Sequence, residues 1–413
     1  MRSYFSEVIV VSIAVATLAC DNSNSSPESV TRDSAGVTLV QHPANLPQNL
    51  AGWSVDTTEV VSIGTSLGDD ASMFSHIVYA GISPNGELVV AEGITNDIRI
   101  FDLTGRLIRR MGGRGDGPGE FQWLRWVTID ESGSIISYDG NQRRLTRFSS
   151  DGSVSGVISL ASHSELSVGN IIGYLADGST LLQRTIGLSD DLSQVSTGLV
   201  RDTVGLYLLS PDGSDVKLIG RFPGPESIRA KGKGVKQNPA PFGLNAVIAV
   251  GDSGFYVSTQ ENYQYQVYDY QGHLKQVVQR SIPRPLVDEE SKTRWIREAD
   301  EQLDKLLAKG PLPPFLMEVN GYRTIPTYFP AHANMMLDRT GNLWIQDYLP
   351  FPDISAATTW IVFNSDGAIV AQAKLPKLQI TEITEDQVVG VWHDADSVPY
   401  VRIYRLLKKA GVR

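Results

Sequence analysis

The chain has 413 residues, 41% of them hydrophobic, with seven Trp and fifteen Tyr, ample for a sizeable core. That length fits two or three average domains or one large repetitive one. A formal net charge of −10 argues against nucleic-acid partners, because phosphate binding needs a concentrated basic surface.

Val8 to Leu18 is an apolar run too short to cross a bilayer and of the right length for the core of a signal peptide. Arg2 supplies positive charge ahead of it, opposed by Glu7. Cys20, the only cysteine, follows directly after Thr17-Leu18-Ala19. This resembles a bacterial lipobox, with small Ala19 before the cysteine that becomes acylated, although Thr17 stands where Leu is commoner. Residues 1–19 are therefore expected to be a lipoprotein signal peptide, and Cys20 the membrane anchor. Secretion with ordinary cleavage is the competing reading. Asp21 after the cysteine resembles an inner-membrane retention signal of enteric bacteria, a rule other phyla ignore. A lipidated Cys20 leaves no cysteine for a disulfide or a thiolate-bound metal. Residues 20–35, rich in Asn, Ser, Pro and Glu and without periodicity, read as a flexible tether ahead of a domain over 36–408.

From here the chain repeats itself. His76 to Ser83 reads as a strand, Pro84-Asn85-Gly86 as a turn, and Glu87 to Ala91 as the return. Asn96 to Phe101 is a third strand, Asp102 to Gly105 a second turn, and Arg106 to Met111 a fourth strand. Four antiparallel strands in about 40 residues is the size of a propeller blade. Both turns then recur 47 residues on, at Gly133 and Gly152. Further blades run over Asn170 to Phe222, Leu244 to Ile282 and His332 to Leu375, with turns at Gly178, Gly213, Gly254, Gly272, Gly341 and Gly367. Val388 to Leu407 is too short for a blade. The runs Gly36 to Val40 and Val55 to Ile63 are expected to complete it, closing the ring and removing exposed sheet edges. The expected fold is an all-β, six-bladed β-propeller; five or seven blades also fit the degenerate third and sixth units.

One segment departs from the repeat. Asp288 to Lys309 places Trp295, Ala299, Leu303 and Leu307 on one helical face. Asp288 suits its N-cap, Glu290–Arg294 and Glu301–Lys305 have ion-pair spacing, and Gly310-Pro311 ends it. Val319-Asn320-Gly321-Tyr322 has the spacing of a hairpin turn. The helical insertion before blade five is assigned to 286–327.

Between the first two blades lies Gly112-Gly113-Arg114-Gly115-Asp116-Gly117-Pro118-Gly119-Glu120-Phe121. With this motif, Asp33-Ser34-Ala35-Gly36-Val37 near the start and Tyr400-Val401-Arg402-Ile403-Tyr404-Arg405-Leu406 at the end, the chain resembles six-bladed NHL/TolB-like propellers. The likeness is closest to a bacterial lipoprotein group carrying Gly-Pro-Gly-Glu-Phe. It implies the propeller fold and, by default, binding or scaffolding, since a propeller hosts modules and enzymes alike.

No catalytic signature stands out. The Gly-rich motif matches neither a dinucleotide fingerprint nor a P-loop. It reads as an anion nest beside Arg114 or, more simply, as a tight crossover whose Glu120 caps loop amides. His76, Arg125, Asn245 and His332 open first strands, which line the channel of a propeller. They read as a ligand site at its mouth, or as groups satisfying loop backbone. If a divalent metal binds, His76 and His332 are its candidate ligands, as the resemblance to metal-binding lactonase and lyase propellers implies; no cofactor is otherwise indicated. Glu92, Asp139 and Asp347 end second strands, positions suited to Ca²⁺ or to bonding the following turn. Tyr322 and Tyr328, with Phe315 and Phe329, read as a lid over the channel mouth or as packing for the helix. Arg229, Lys231, Lys233 and Lys236 form a basic cluster, for anionic lipid or glycan or as a solvated loop.

The reading favours a non-catalytic, membrane-anchored binding or scaffold module of the bacterial cell envelope, facing the periplasm or the exterior. Its expected partners are the membrane through Cys20 and a protein or glycan ligand of the envelope, with the domain itself a monomer. The alternative is a metal-dependent lactonase- or lyase-type enzyme with its site at the channel mouth.

Overall fold

A computed structural model describes residues 29–409 apart from 69, 167–168, 187–195, 232–234 and 352–356. The segment expected to be a signal peptide, and Cys20, lie outside the described residues. The chain opens with β1 (Val30–Ser34), β2 (Val37–His42) and β3 (Ala51–Ile63). Blade one is β4 (Ile77–Ile82), β5 (Leu88–Glu92), β6 (Asp97–Phe101) and β7 (Leu107–Gly112). Blade two is β8 (Leu124–Ile129), β9 (Ile135–Asp139), β10 (Arg144–Phe148) and β11 (Val154–Ser159). Blade three is β12 (Asn170–Tyr174), β13 (Thr180–Ile186), β14 (Gly198–Leu209) and β15 (Val216–Lys231), with β16 (Val235–Pro239) added at its edge.

Blade four is β17 (Val247–Val250), β18 (Phe255–Ser258), β19 (Gln264–Tyr268) and β20 (Leu274–Arg280). After it come the helices α1 (Glu289–Leu307) and α2 (Pro314–Asn320). Blade five is β21 (Met335–Leu337), β22 (Leu343–Gln346), β23 (Thr358–Phe363) and β24 (Ile369–Leu375). Blade six takes β25 (Gln379–Ile383), β26 (Gln387–His393) and β27 (Pro399–Lys409) from the C-terminus and β3 from the N-terminus. The fold is a six-bladed β-propeller with a helical insertion before blade five.

Six buried hydrophobic clusters decide the blade count, because each lies between one blade and the next. Val89, Ile98 and Phe121 meet Leu124 and Val127 between blades one and two. Equivalent clusters fill the boundaries two–three, three–four, four–five and five–six. The sixth packs Val61, Val389 and Val401 of blade six against Ile77, Leu88 and Phe101 of blade one, closing the circle. Each blade is thus apolar on both faces, which is why central strands such as β5 and β6 are buried throughout rather than at alternate positions.

The repeat turns follow from one backbone requirement. Gly86, Gly105, Gly133 and Gly152 have φ between 79° and 89°, a region where a Cβ is strained. Asp102 completes its turn by accepting the amides of Thr104 and Arg106 through Oδ1, both at 3.0 Å. Gly254 is different: a Cβ there would sit 2.0 Å from the carbonyl of Tyr268, so close approach and not φ demands glycine.

Closure departs from expectation in one respect. Val55 to Ile63 completes blade six, since β3 runs antiparallel to β27. Gly36 to Val40 does not. Within it β2 lies parallel to β20 at the edge of blade four, and β1 folds back on β2. Val40 enters the cluster between blades four and five, and buried His42 donates from Nε2 to the Gly367 carbonyl of blade five at 2.7 Å. That burial is what pulls the segment to blade four. The tether expected over 20–35 accordingly overlaps structure at Val30–Ser34. The start of β3 also pairs in parallel with β24, so this segment covers the outer edges of blades four and five in turn.

The insertion is helical as expected, with Asp288 Oδ1 accepting the Ser291 amide at 2.7 Å. Arg294 pairs with Glu298 and not with Glu290, and its guanidinium lies 4.2 Å from the Phe351 ring centroid. Val319–Tyr322 is not a hairpin turn. Pro314 opens α2, Asn320 ends it, and Gly321 donates to the Met317 carbonyl as its cap. Pro at the first helical position favours this start over an extended run.

Candidate functional site

All first strands run the same way through the ring, so the loops joining second to third strands, and blade to blade, lie on one face. We term this the start face, and the opposite one, with the hairpin turns, the exit face. The ends of the six first strands enclose a cavity of about 810 Å³ on the exit side. Tyr79, Trp126, Tyr174 and Tyr256 give it an aromatic wall, and Met335 and Met336 line blade five's share. Burial raises the phenols of Tyr79, Tyr174 and Tyr256 above their ordinary range, so they remain neutral hydrogen-bond donors.

Carboxylates ring this cavity, but most are committed to its framework. Asp130 pairs with Arg147 at 2.7 Å and accepts the amides of Ser132 and Ser134. Asp338 accepts from Thr340, Asn342 and the indole of Trp344. Glu382 accepts the Ile82 amide at 2.8 Å while Arg339, its ion-pair partner, donates to the Ile82 carbonyl. Burial nevertheless raises the Glu382 pKa, with Arg339 opposing the shift. Glu131 and Asp252 are exposed at the rim. The site offers apolar aromatic surface, phenolic donors and a few carboxylates, a lining suited to binding.

The residues singled out from the sequence lie elsewhere. His76, Arg125 and Asn245 are exposed at the start face. His76 and Asn245 are held through their backbone amides, donating to Glu92 at 2.6 Å and to Gln260 at 2.8 Å. The Arg125 guanidinium stacks 4.4 Å from the Trp123 ring centroid. His332 is fully buried, its Nε2 2.6 Å from Ser258 Oγ and its ring edge-on to Tyr263. Desolvation holds its pKa down to about 4, and its Nδ1 is buried without a hydrogen-bond partner. His76 and His332 therefore share no partner. Tyr322 lines a small cavity of about 140 Å³ with Trp295 and Leu303, between the helices and blade three's outer strands. Tyr328 is exposed under Arg284, while Phe329 is buried against Phe242 and Tyr348. The helices thus pack on β15, β16 and this aromatic cluster.

Two of the three acidic residues that end second strands serve the loops. Glu92 accepts the amides of Ser75, His76, Ile94 and Thr95, and Asp139 those of Gln122, Trp123, Asn141 and Gln142. Asp347 is half-buried, and desolvation raises its pKa. Among the described residues no group of three or more His, Cys, Asp or Glu is placed to hold a metal. The Gly-rich motif is a crossover. Its Gly115 and Phe121 amides bond inward to Phe121 and Gly113, Glu120 accepts the Gly117 amide at 2.8 Å, and Arg144 holds the carbonyls of Asp116, Gly117 and Glu120. The amides of Gly113, Gly115, Gly117, Glu120 and Phe121 are thus occupied within the structure. Arg229 leaves the basic cluster, because it is buried and both Asp202 oxygens accept from it, at 2.7 and 2.8 Å. Lys233 lies outside the described residues. Neither this pair nor Ser258–His332 was signalled by the sequence, since both join residues that no short-range pattern connects.

Residues 81–168 match the family model DUF5128, described as a 6-bladed beta-propeller. No curated protein matches the chain. A member of the DUF4221 family from Bacteroides vulgatus superposes with a TM-score of 0.51 at 12% identity, over 88% of this chain and 100% of that one. A Bacteroides fragilis protein described as exported gives 0.48 at 11% identity, over 90% and 99%. A gluconolactonase from Xanthomonas campestris gives 0.38 at 14% identity, over 79% and 88%. At 12% identity the first of these shares architecture alone, and the description of the matched family model agrees with the six blades described above.

Proposed function

We propose that the protein is a non-catalytic binding module of the bacterial cell envelope, anchored through an acylated Cys20, with its ligand in the exit-side cavity. The observation that carries this reading is the cavity itself: all six blades contribute to it, and its lining is aromatic and polar without an arrangement for chemistry. The lactonase- or lyase-type alternative draws less support, because one of its two histidines is sealed beside Ser258 while the other is exposed on blade one. This reading sets the ligand in the cavity and not at His76, Arg125, Asn245 and His332, of which the first three are exposed on the start face and His332 is buried. A small envelope glycan or peptide segment suits its size and its phenolic donors.

The test is capture from envelope extract on immobilised protein, with small molecules and fragments identified by mass spectrometry. A ligand retained by the wild type and lost in Trp126→Ala/Tyr256→Ala supports the reading. Stoichiometric metal in untagged protein, lost in His76→Ala/His332→Ala together with lactone turnover, would move the assignment to the enzyme.

A further inference from the structure

Several of the large exposed hydrophobic side chains lie on the start face, and others on outer strands and helices. Leu67 (84% exposed) lies in the loop from β3 to β4 and Ile94 (63%) between β5 and β6. Trp123 precedes β8, Leu349 follows β22, and Leu286 (64%) and Tyr328 pair in an isolated bridge between β20 and β21. Two of these residues also carry arginine: Arg125 stacks on Trp123 at 4.4 Å and Arg284 on Tyr328 at 5.5 Å. Aromatic rings with a cation beside them are the side chains that favour the boundary between lipid headgroups and acyl chains.

The tether adds a geometric reason. Val30 pairs with Gln41, and Gln41 with Gln279, so the chain enters the body at the end of β20 from which Arg284 and Leu286 follow. From Cys20 to Val30 is ten residues, a reach of at most about 35 Å. We infer that the start face docks on the bilayer that holds the Cys20 lipid, with Trp123, Leu286 and Tyr328 at the headgroup level and the exit-side cavity turned away from the membrane. This rests on the anchored reading proposed above. It assigns a second, non-covalent membrane contact beside the lipid, one that orients the domain on the bilayer.

The experiment uses full-length, natively processed protein in vesicles of phosphatidylethanolamine and phosphatidylglycerol with brominated acyl chains. Mass spectrometry of the same sample reads the acyl mass on Cys20. Docking is expected to quench part of the tryptophan fluorescence, with Trp123→Phe losing most of the quenched part and Leu286→Asp weakening it. An unacylated Cys20 overturns the anchor and this inference with it. Acylated protein whose quenching is the same in Trp123→Phe overturns the docking face alone. So do crosslinks from a photoreactive residue at position 123 that reach protein in cells and not lipid.

Discussion

Ser258 Oγ and His332 Nε2 meet at 2.6 Å across the boundary between blades four and five, joining the end of a second strand to the start of the next first strand. Gln260 reinforces the joint by donating to the carbonyls of His332 and Ala333. With its pKa held to about 4 by burial, the imidazole is neutral in the folded protein.

The pH consequence has a definite sign. The unfolded chain's histidine titrates near 6.5, so below that pH the unfolded state takes up a proton that the folded state refuses. Stability is therefore complete above about 6.5 and falls as pH drops toward 4, by on the order of 3 kcal/mol for this residue. Urea denaturation at stepped pH should show that decline, and His332→Gln, which keeps a polar partner for Ser258, should flatten it.

The Arg229–Asp202 pair joins β14 and β15 beyond the body of blade three, with both side chains almost wholly buried. Removing one partner strands the other charge. Asp202→Ala should cost about 3–5 kcal/mol, seen in the denaturant midpoint, whereas a paired replacement by apolar residues should cost far less.

Two glycines separate backbone strain from crowding. Gly86 has φ 79° and open space around its missing Cβ, so Gly86→Ala should cost about 1–2 kcal/mol. Gly254→Ala should cost more, although its φ lies outside the left-handed region, because the Tyr268 carbonyl must move. Equal losses in thermal unfolding would contradict this ordering.

For the anchor, growth with a labelled fatty acid should mark the wild-type protein, and Cys20→Ser should lose the mark. Equal labelling of both would end the assignment.

Most of the architecture is legible in the sequence because a blade is a local object. Its four strands are consecutive, and its turns advertise themselves through Asp and Gly at fixed spacing, as at Asp102-Leu103-Thr104-Gly105. The helix at 289–307 is legible for the same reason, its stripe and its cap lying within a few turns. What the sequence left open was everything settled between blades. The apolar alternation of β2 is the same whether it closes blade six or edges blade four, and only the pocket for Val40 and the Gly367 carbonyl for His42 choose. Polar residues at the starts of first strands shared a repeat position, which suggested a common site. In the folded ring, the same position is exposed at His76 and sealed at His332, because the neighbouring blade packs differently over each. Repeat position thus fixed secondary structure and turn chemistry, while burial, ion pairing and the exit-side cavity depend on contacts that exist only once the ring closes.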